Sequence, residues 1–167
     1  MDCGNASAFN ITGSITITAW VKVEKFDIEW QVIATKGNSA WGLERNSDND
    51  SLYFYCHFPP KYGEFGWESY ASGEKDVNDG KWHHIVGVYD GKRIALFIDG
   101  TLDSQLKASG NTEVNDYSFC IGRDVESGGY EWNGLIDDVR IYSYALSPEE
   151  IKMLYEGKEP PCERRSE

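Results

Sequence analysis

In the run SLYFYCHF, residues Leu52, Phe54, Cys56 and Phe58 share one face of an extended chain and leave Tyr53, Tyr55 and His57 on the other. With the first set in the core, the second lines the open face of a sheet. Flat phenol rings there suit the apolar faces of pyranose rings, while nearby carboxylates and amides suit the hydroxyls. Further aromatic residues, Trp30, Trp41, Trp67, Tyr70, Tyr130 and Trp132, fall in or near expected loops, where packing explains them less readily. Tyr53, Tyr55 and His57 on the sheet, Trp67 with Tyr70, and Tyr130 with Trp132 are the expected ligand contacts. Any one of these rings taken alone more commonly plugs the end of a sandwich.

Catalytic chemistry is harder to assemble. His83 and His84 are neighbours in a strand pattern, so they point to opposite faces, and no serine or cysteine motif accompanies them. Glycoside hydrolysis needs two carboxylates on one face. The nearest run, EKDVND, offers Glu74, Asp76 and Asp79 immediately before a turn-like Asn-Asp-Gly, which is a poor frame for such a pair. The expected protein is not an enzyme.

One carboxylate raises a separate question. In GLIDDVRIY, a period of two with Leu135, Val139 and Ile141 facing the core places Asp137 on that same inward face, where an unpartnered charge is costly. Backbone amides at the sheet edge are one partner, and a hard cation is the other. Asp138 alternates outward beside Arg140, so the doublet is not a catalytic dyad. The cluster Asp48-Asn49-Asp50 reads as a solvated turn, with cation binding as the less common alternative.

The elements that must position these groups are strands. SITITAWVKVEK alternates apolar and polar residues, and shorter runs follow at QVIATKG, WGLERN, SLYFYCHF, WHHIVGVYD, RIALFIDG, YSFCIGRD and GLIDDVRIY. Many short strands at regular spacing predict an all-β sandwich or barrel. Asp90-Gly91 and Asp99-Gly100 mark tight turns, and the doubly apolar WHHIVGVY predicts a strand covered on both faces. Residues 59–76, rich in glycine and aromatics, read as one long loop or a loose hairpin. One helix is predicted: Ser147-Pro148-Glu149-Glu150 forms a capping box, Ile151, Leu154 and Tyr155 form an apolar face, and Gly157 ends it.

At 167 residues the chain fits one domain, with 40% hydrophobic and 14% aromatic residues supplying its core. A net charge of −12, spread along the chain, argues against nucleic acid as partner. No apolar run is long enough to span a membrane as a helix. Cys3, Cys56, Cys120 and Cys162 lack zinc-type spacing; Cys56 and Cys120 read as small buried hydrophobes or a bridged pair, and Cys3 and Cys162 as terminal residues within reach of each other. The abrupt opening, without a secretion signal, and the polar KEPPCERRSE at the end suggest a module of a longer protein.

Taken together, ITGSITITAWVK, NDGKWHHIVGVYDGKRIALFIDG, FCIGRD and NGLIDDVRIYSYALSPEEI resemble, in order and spacing, the laminin-G-like family of the concanavalin A-like lectin and glucanase superfamily. The resemblance spans residues 2–157 and leaves residues 158–167 as a polar tail or linker. It implies a jelly-roll sandwich of two antiparallel sheets with one short C-terminal helix. It further implies a non-catalytic module of an extracellular or cell-surface protein that binds a polysaccharide or oligosaccharide on its concave sheet and loops. The alternative is a protein-interaction, adhesion or spacer module. Hydrolytic relatives carry an E-x-D-x-x-E motif that is missing here. The resemblance also implies a structural calcium ion held by Asp137, with Asp2 of the DCG opening as a second carboxylate.

Overall fold

The computed structural model describes residues 1–47, 49–59 and 67–161, without the side chains of Trp67 and Glu68. The strands are β1 (Ile15–Val23), β2 (Val32–Thr35), β3 (Trp41–Arg45), β4 (Leu52–Phe58), β5 (Trp67–Ser72), β6 (Trp82–Tyr89), β7 (Arg93–Ile98), β8 (Thr101–Lys107), β9 (Cys120–Ile121) and β10 (Gly134–Tyr142), followed by helix α1 (Pro148–Tyr155). They form two antiparallel sheets, β10-β1-β6-β7-β8 and β5-β4-β3-β2-β9. The fold is the expected all-β jelly-roll sandwich with one short C-terminal helix.

The core lies between the sheets, where alternate residues of each strand point. Ile15, Ile17, Ala19 and Val21 of β1 and Ile85 and Tyr89 of β6 meet Trp41, Leu43, Phe54 and Cys56 from the other sheet. The sheets approach closely where β6 crosses β4: a Cβ on Gly87 would lie 2.3 Å from the Phe54 ring, so only glycine fits there. The other face of β6 and β7, with Val86, Val88, Ala95 and Phe97, is buried beneath Leu146, Ile151 and Leu154. That second layer is why β6 is apolar at both alternations.

The local signals around the turns and the helix are realised. Asp99 and Gly100, with φ of 53° and 73°, join β7 to β8 in a two-residue hairpin. Ser147 Oγ accepts the Glu150 amide at 3.2 Å, and Glu150 Oε2 accepts the Ser147 amide at 2.6 Å, closing the capping box. Tyr155 is not buried with Ile151 and Leu154; its ring is half-exposed and stacks on Trp20 at 5.9 Å.

Three features differ from the sequence reading. Within residues 59–76, where a loop or loose hairpin was expected, β5 pairs in regular register with β4 from Tyr53↔Ser72 to Phe58↔Trp67. β8 escapes detection because both of its faces are solvent-exposed, so TLDSQLK lacks an apolar stripe. The third is in β10. Its register against β1 runs from Thr18↔Arg140 to Trp20↔Asp137, two residues opposite three, with Asp138 at a φ of 48°. This bulge resets the alternation. Val139 and Ile141 still pack on the core, but Ile136 joins them, while Leu135 and Asp137 turn out to solvent. Asp138 meets Arg140 in a two-pronged pair at 2.8 and 3.0 Å, as its outward position predicted.

The described cysteines sit as separate thiols. Strands β3 and β2 lie between β4 and β9, so Cys56 and Cys120 are not on neighbouring strands; both are free and buried, and burial raises both thiols above their ordinary pKa. Cys3 is free and exposed, and Cys162 lies outside the described residues.

Candidate functional site

The candidate site is on the outer face of the second sheet. Register pairs Glu44 with Tyr53 and Gly42 with Tyr55, then Tyr55 with Tyr70 on β5. Because Trp41 and Leu43 point into the core, Gly42 and Glu44 point out beside the two tyrosines. Glu44, only 4% exposed, accepts the Tyr53 hydroxyl on Oε2 at 2.7 Å and the Tyr55 hydroxyl on Oε1 at 2.9 Å. The Tyr55 oxygen also lies 2.7 Å from Thr35 Oγ1. Burial, and then the Glu44 charge, push the Tyr55 phenol well above its ordinary pKa, which keeps it a donor. Gly42 makes room for this arrangement, since a Cβ there would lie 2.7 Å from the Tyr55 oxygen.

Aromatic rings surround the carboxylate. Tyr53 stacks on Tyr55 at 5.6 Å and meets Trp30 and Tyr70 edge to face at 5.6 and 5.7 Å. Trp30, Asn38, Glu44, Tyr53 and Tyr130 line a pocket of about 220 Å³. Trp30 and Tyr130 both occupy the left-handed region, with φ of 58° and 59°, a conformation that a bulky residue holds only when its surroundings enforce it. Those surroundings are visible: the Tyr130 carbonyl accepts the Val32 amide at 2.8 Å, and buried Gln31 donates from Nε2 to the Lys25 and Glu131 carbonyls and to Asp27 Oδ1. Asn38 rides on a turn fixed from below. Lys36 Nζ donates to the Asn115 carbonyl and side chain, both at 3.0 Å, and Ser39 bonds Glu126 through both its amide and its hydroxyl. Burial lowers the pKa of Lys36.

Of the expected contacts, Tyr53 and Tyr130 line the pocket and Tyr70 meets Tyr53 from the exposed side; Tyr55, expected on the open face, is instead fully buried, because the rings and the Glu44 carboxylate close over it. His57 is on the same face of β4 beyond Tyr55, half-buried and opposite Glu68; burial lowers its pKa against the opposing pull of Glu113 and Glu126, and it does not line the pocket. Trp132 is elsewhere, packed on the edge of the core with its ring 5.9 Å from Phe26. Trp41 is likewise core, stacked toward Phe119. Trp67 opens β5 opposite Phe58, and its side chain lies outside the described part of the structure. Trp30, Asn38 and Glu44 were not among the expected contacts. The alternation of WGLERN signals that Glu44 leaves the core, but only the strand register reveals which tyrosines it meets.

The two carboxylates expected to share calcium are each engaged by nearby groups of the chain. Asp137 is exposed and accepts the amide of Asp138 at 2.8 Å, because the bulge turned it out of the core. Asp2 accepts the Gly4 amide at 2.9 Å and lies 3.9 Å from Arg123. Among the described residues no group of three or more His, Cys, Asp or Glu side chains converges. In the Asp48-Asn49-Asp50 cluster, Asp48 lies outside the described residues and Asn49 accepts the Ser51 amide as a turn residue does.

Asp76, Asp79 and the two neighbouring histidines are held elsewhere. Asp76 accepts the Asn78 amide, and Asp79 takes Lys81 and one ring nitrogen of His83, whose other nitrogen is 2.8 Å from Asp99. His84 faces the opposite way, against Trp20 at 5.2 Å, and burial pushes its pKa down to about 4. A larger cavity, about 770 Å³, opens on the other sheet between α1, β7 and β8. Its lining combines apolar Val88, Ala95, Phe97 and Leu146, the surface on which the helix seats, with Asp90, Asp99 and Tyr155.

The family model described as the concanavalin A-like lectin/glucanases superfamily matches residues 3–152. The sushi, von Willebrand factor type A, EGF and pentraxin domain-containing protein 1 of Rattus norvegicus is 29% identical over 157 residues, covering 84% of this chain and 4% of that protein. The chain thus spans about 4% of the length of the curated relatives it matches. Among solved structures, the IT-sialidase CBM40 of Ruminococcus gnavus bound to α2,3-sialyllactose superposes with a TM-score of 0.67 at 18% identity, covering 90% of this chain and 86% of that one. The binding domain of Paraclostridial Mosquitocidal Protein 1 superposes with a TM-score of 0.69 at 18% identity, covering 92% and 40%. At such identity these likenesses establish a common fold.

Proposed function

Because this chain belongs to the concanavalin A-like lectin/glucanase superfamily, we propose that it is a non-catalytic carbohydrate-binding module whose ligand sits on the tyrosine face of the second sheet. One observation carries the proposal: Glu44 is held by the Tyr53 and Tyr55 hydroxyls in a pocket walled by Trp30 and Tyr130. The exposed rings of Trp30 and Tyr70 stack on the apolar faces of sugar rings, with Tyr53 buried between them as their support, and Asn38 and Glu44 bond hydroxyls. Hydrolysis finds no footing here, since it needs two carboxylates and Glu44 is the one acid among the described residues lining the pocket. The module works within a longer extracellular chain, a reading supported by the multidomain rat relative.

Affinity electrophoresis against a polysaccharide panel tests this. Retardation by at least one glycan, lost in Trp30→Ala and Tyr53→Ala, is expected. Unretarded migration in every gel would overturn it.

A second reading, a protein-interaction or spacer module, draws on a different face. Leu102 and Leu106 of edge strand β8 are 44% and 46% exposed. That reading predicts that Leu102→Ser and Leu106→Ser leave glycan retardation intact and abolish association with a partner domain of the parent chain.

A further inference from the structure

We propose that a calcium ion seats between the loops that precede β2 and β10, held by the Gln31 side-chain oxygen, Asp27 Oδ1 and the Lys25 and Glu131 carbonyls. The Gln31 side chain is fully buried, and one end of its amide, Nε2, stands 3.3 Å from the Lys25 carbonyl oxygen, 3.2 Å from Asp27 Oδ1 and 3.3 Å from the Glu131 carbonyl oxygen. That NH2 group has two hydrogens for three acceptors, and all three distances exceed the usual ~2.9–3.0 Å. The other end fares worse: Oε1 is buried without a hydrogen-bond partner. The two ends of a carboxamide have the same shape, so a half-turn about its bond brings Oε1 among the three oxygens and moves Nε2 to where an oxygen now finds no donor. Four oxygens then converge on one point, and a hard cation is what holds such a group together.

The spacing selects the ion. Oxygens about 2.3–2.6 Å from calcium and roughly at right angles lie about 3.3–3.7 Å apart, and closer in seven- or eightfold shells, whereas around magnesium they lie about 2.9 Å apart. The separations of 3.2 and 3.3 Å fit calcium. Bonds between the two loops hold the oxygens in place: Asn133 Nδ2 donates to Asp27 Oδ2 at 2.9 Å, the Glu24 and Lys25 amides both donate to the Asn133 carbonyl, and the Gln31 carbonyl accepts the Arg45 amide at 2.8 Å. Asp27 supplies a negative charge, and the exposed Glu24, Glu29 and Glu131 add to the attraction against Lys25. The Arg45 guanidinium is turned onto the Phe26 ring at 4.8 Å and donates to the Ile28 carbonyl. Trp30 precedes Gln31 and Tyr130 precedes Glu131, so the same ion braces both walls of the tyrosine-face pocket.

The test is calorimetric titration of the full chain, stripped with chelator, with calcium chloride and with magnesium chloride; it uses no glycan and is independent of the glycan reading. One equivalent of calcium is expected to bind with a Kd of about 10⁻⁴–10⁻³ M, and magnesium roughly tenfold more weakly or less. Asp27→Asn should weaken calcium binding by roughly tenfold or more, and Asp137→Ala should leave it unchanged. Gln31→Glu separates the two accounts of the buried amide. Without calcium its carboxylate faces three oxygens and the melting temperature falls; with calcium it adds a charged ligand, binds roughly tenfold tighter than the wild type and recovers the melting temperature. If Gln31 serves only as a hydrogen-bond donor, that variant is destabilised equally with calcium and with chelator, which would overturn the inference. So would the absence of calcium binding in the wild type, binding that Asp27→Asn leaves intact, or binding that Asp137→Ala abolishes. Should Gln31→Glu fold only with calcium, the inference stands; should it fold in neither condition, the Asp27→Asn and Asp137→Ala titrations decide.

Discussion

Trp30 and Tyr130, far apart in the chain, both hold left-handed backbone conformations, with φ of 58° and 59°, and both line the pocket that contains Glu44. A bulky residue in that region is strained by roughly 1 kcal/mol or more. The strain is concentrated where a ligand would stack, and this separates binding from stability.

Trp30→Gly relieves the left-handed strain but removes the ring's contact with Tyr53, so the two effects partly offset and the melting temperature is expected to fall only modestly. The same variant should lose glycan affinity tenfold or more, as removal of an aromatic anchor does. Paired thermal melts and titrations check both halves. Loss of both together would place Trp30 in the packing and not in the site.

Gly42→Ala should disturb the site from beneath. The added Cβ would lie 2.7 Å from the Tyr55 oxygen and 2.9 Å from Thr35 Oγ1, so the tyrosine must move off Glu44. Overpacking of this kind costs roughly 1–3 kcal/mol. Chemical denaturation would measure it, and glycan binding should fall in step.

Acidification should destabilise the fold through His84. Its pKa falls from 6.5 in the unfolded chain to about 4 in the folded one, so between those values the unfolded state binds more protons. Stability is full above 6.5 and is lost as pH falls toward 4, by about 1–3 kcal/mol in all. Asp99, which burial pushes up but Lys75, His83 and the His84 amide together pull lower, adds a further loss at more acid pH. Melts across this range should show the slope, and His84→Phe should flatten its upper part. Nδ1 of His84 has no hydrogen-bond partner among the described residues, so the replacement forfeits no bond there.

Asp137→Ala should change stability by no more than about 0.5 kcal/mol, with calcium or with chelator, because the carboxylate is exposed. A melting temperature that rises with calcium in the wild type and not in the variant would contradict this.

Asp138→Val should be costlier, by roughly 1–3 kcal/mol, since a β-branched residue resists the φ of 48° at the bulge and the pair with Arg140 is lost. Asp138→Gly restores the backbone freedom and should recover part of the loss. Urea unfolding of the two variants separates backbone from charge.

Much of this molecule is legible in its sequence. The alternation in SLYFYCHF placed Tyr53 and Tyr55 on the outer face, WHHIVGVY announced a strand with two covers, and the Ser147 capping box marked α1. Each depends on a period of two or on bonds within one turn, which are properties of a continuous stretch of chain. Glu44 meeting both tyrosines, Trp30 and Tyr130 closing on one pocket, and Asp137 turning outward all depended on something else. They follow from which strands pair, in which register, and where one extra residue is inserted, and these are set by packing between segments distant in sequence. The sequence by itself determined the sandwich and the face its tyrosines occupy. Only the tertiary structure decided which charge stands among them, because register, unlike alternation, is not a local property.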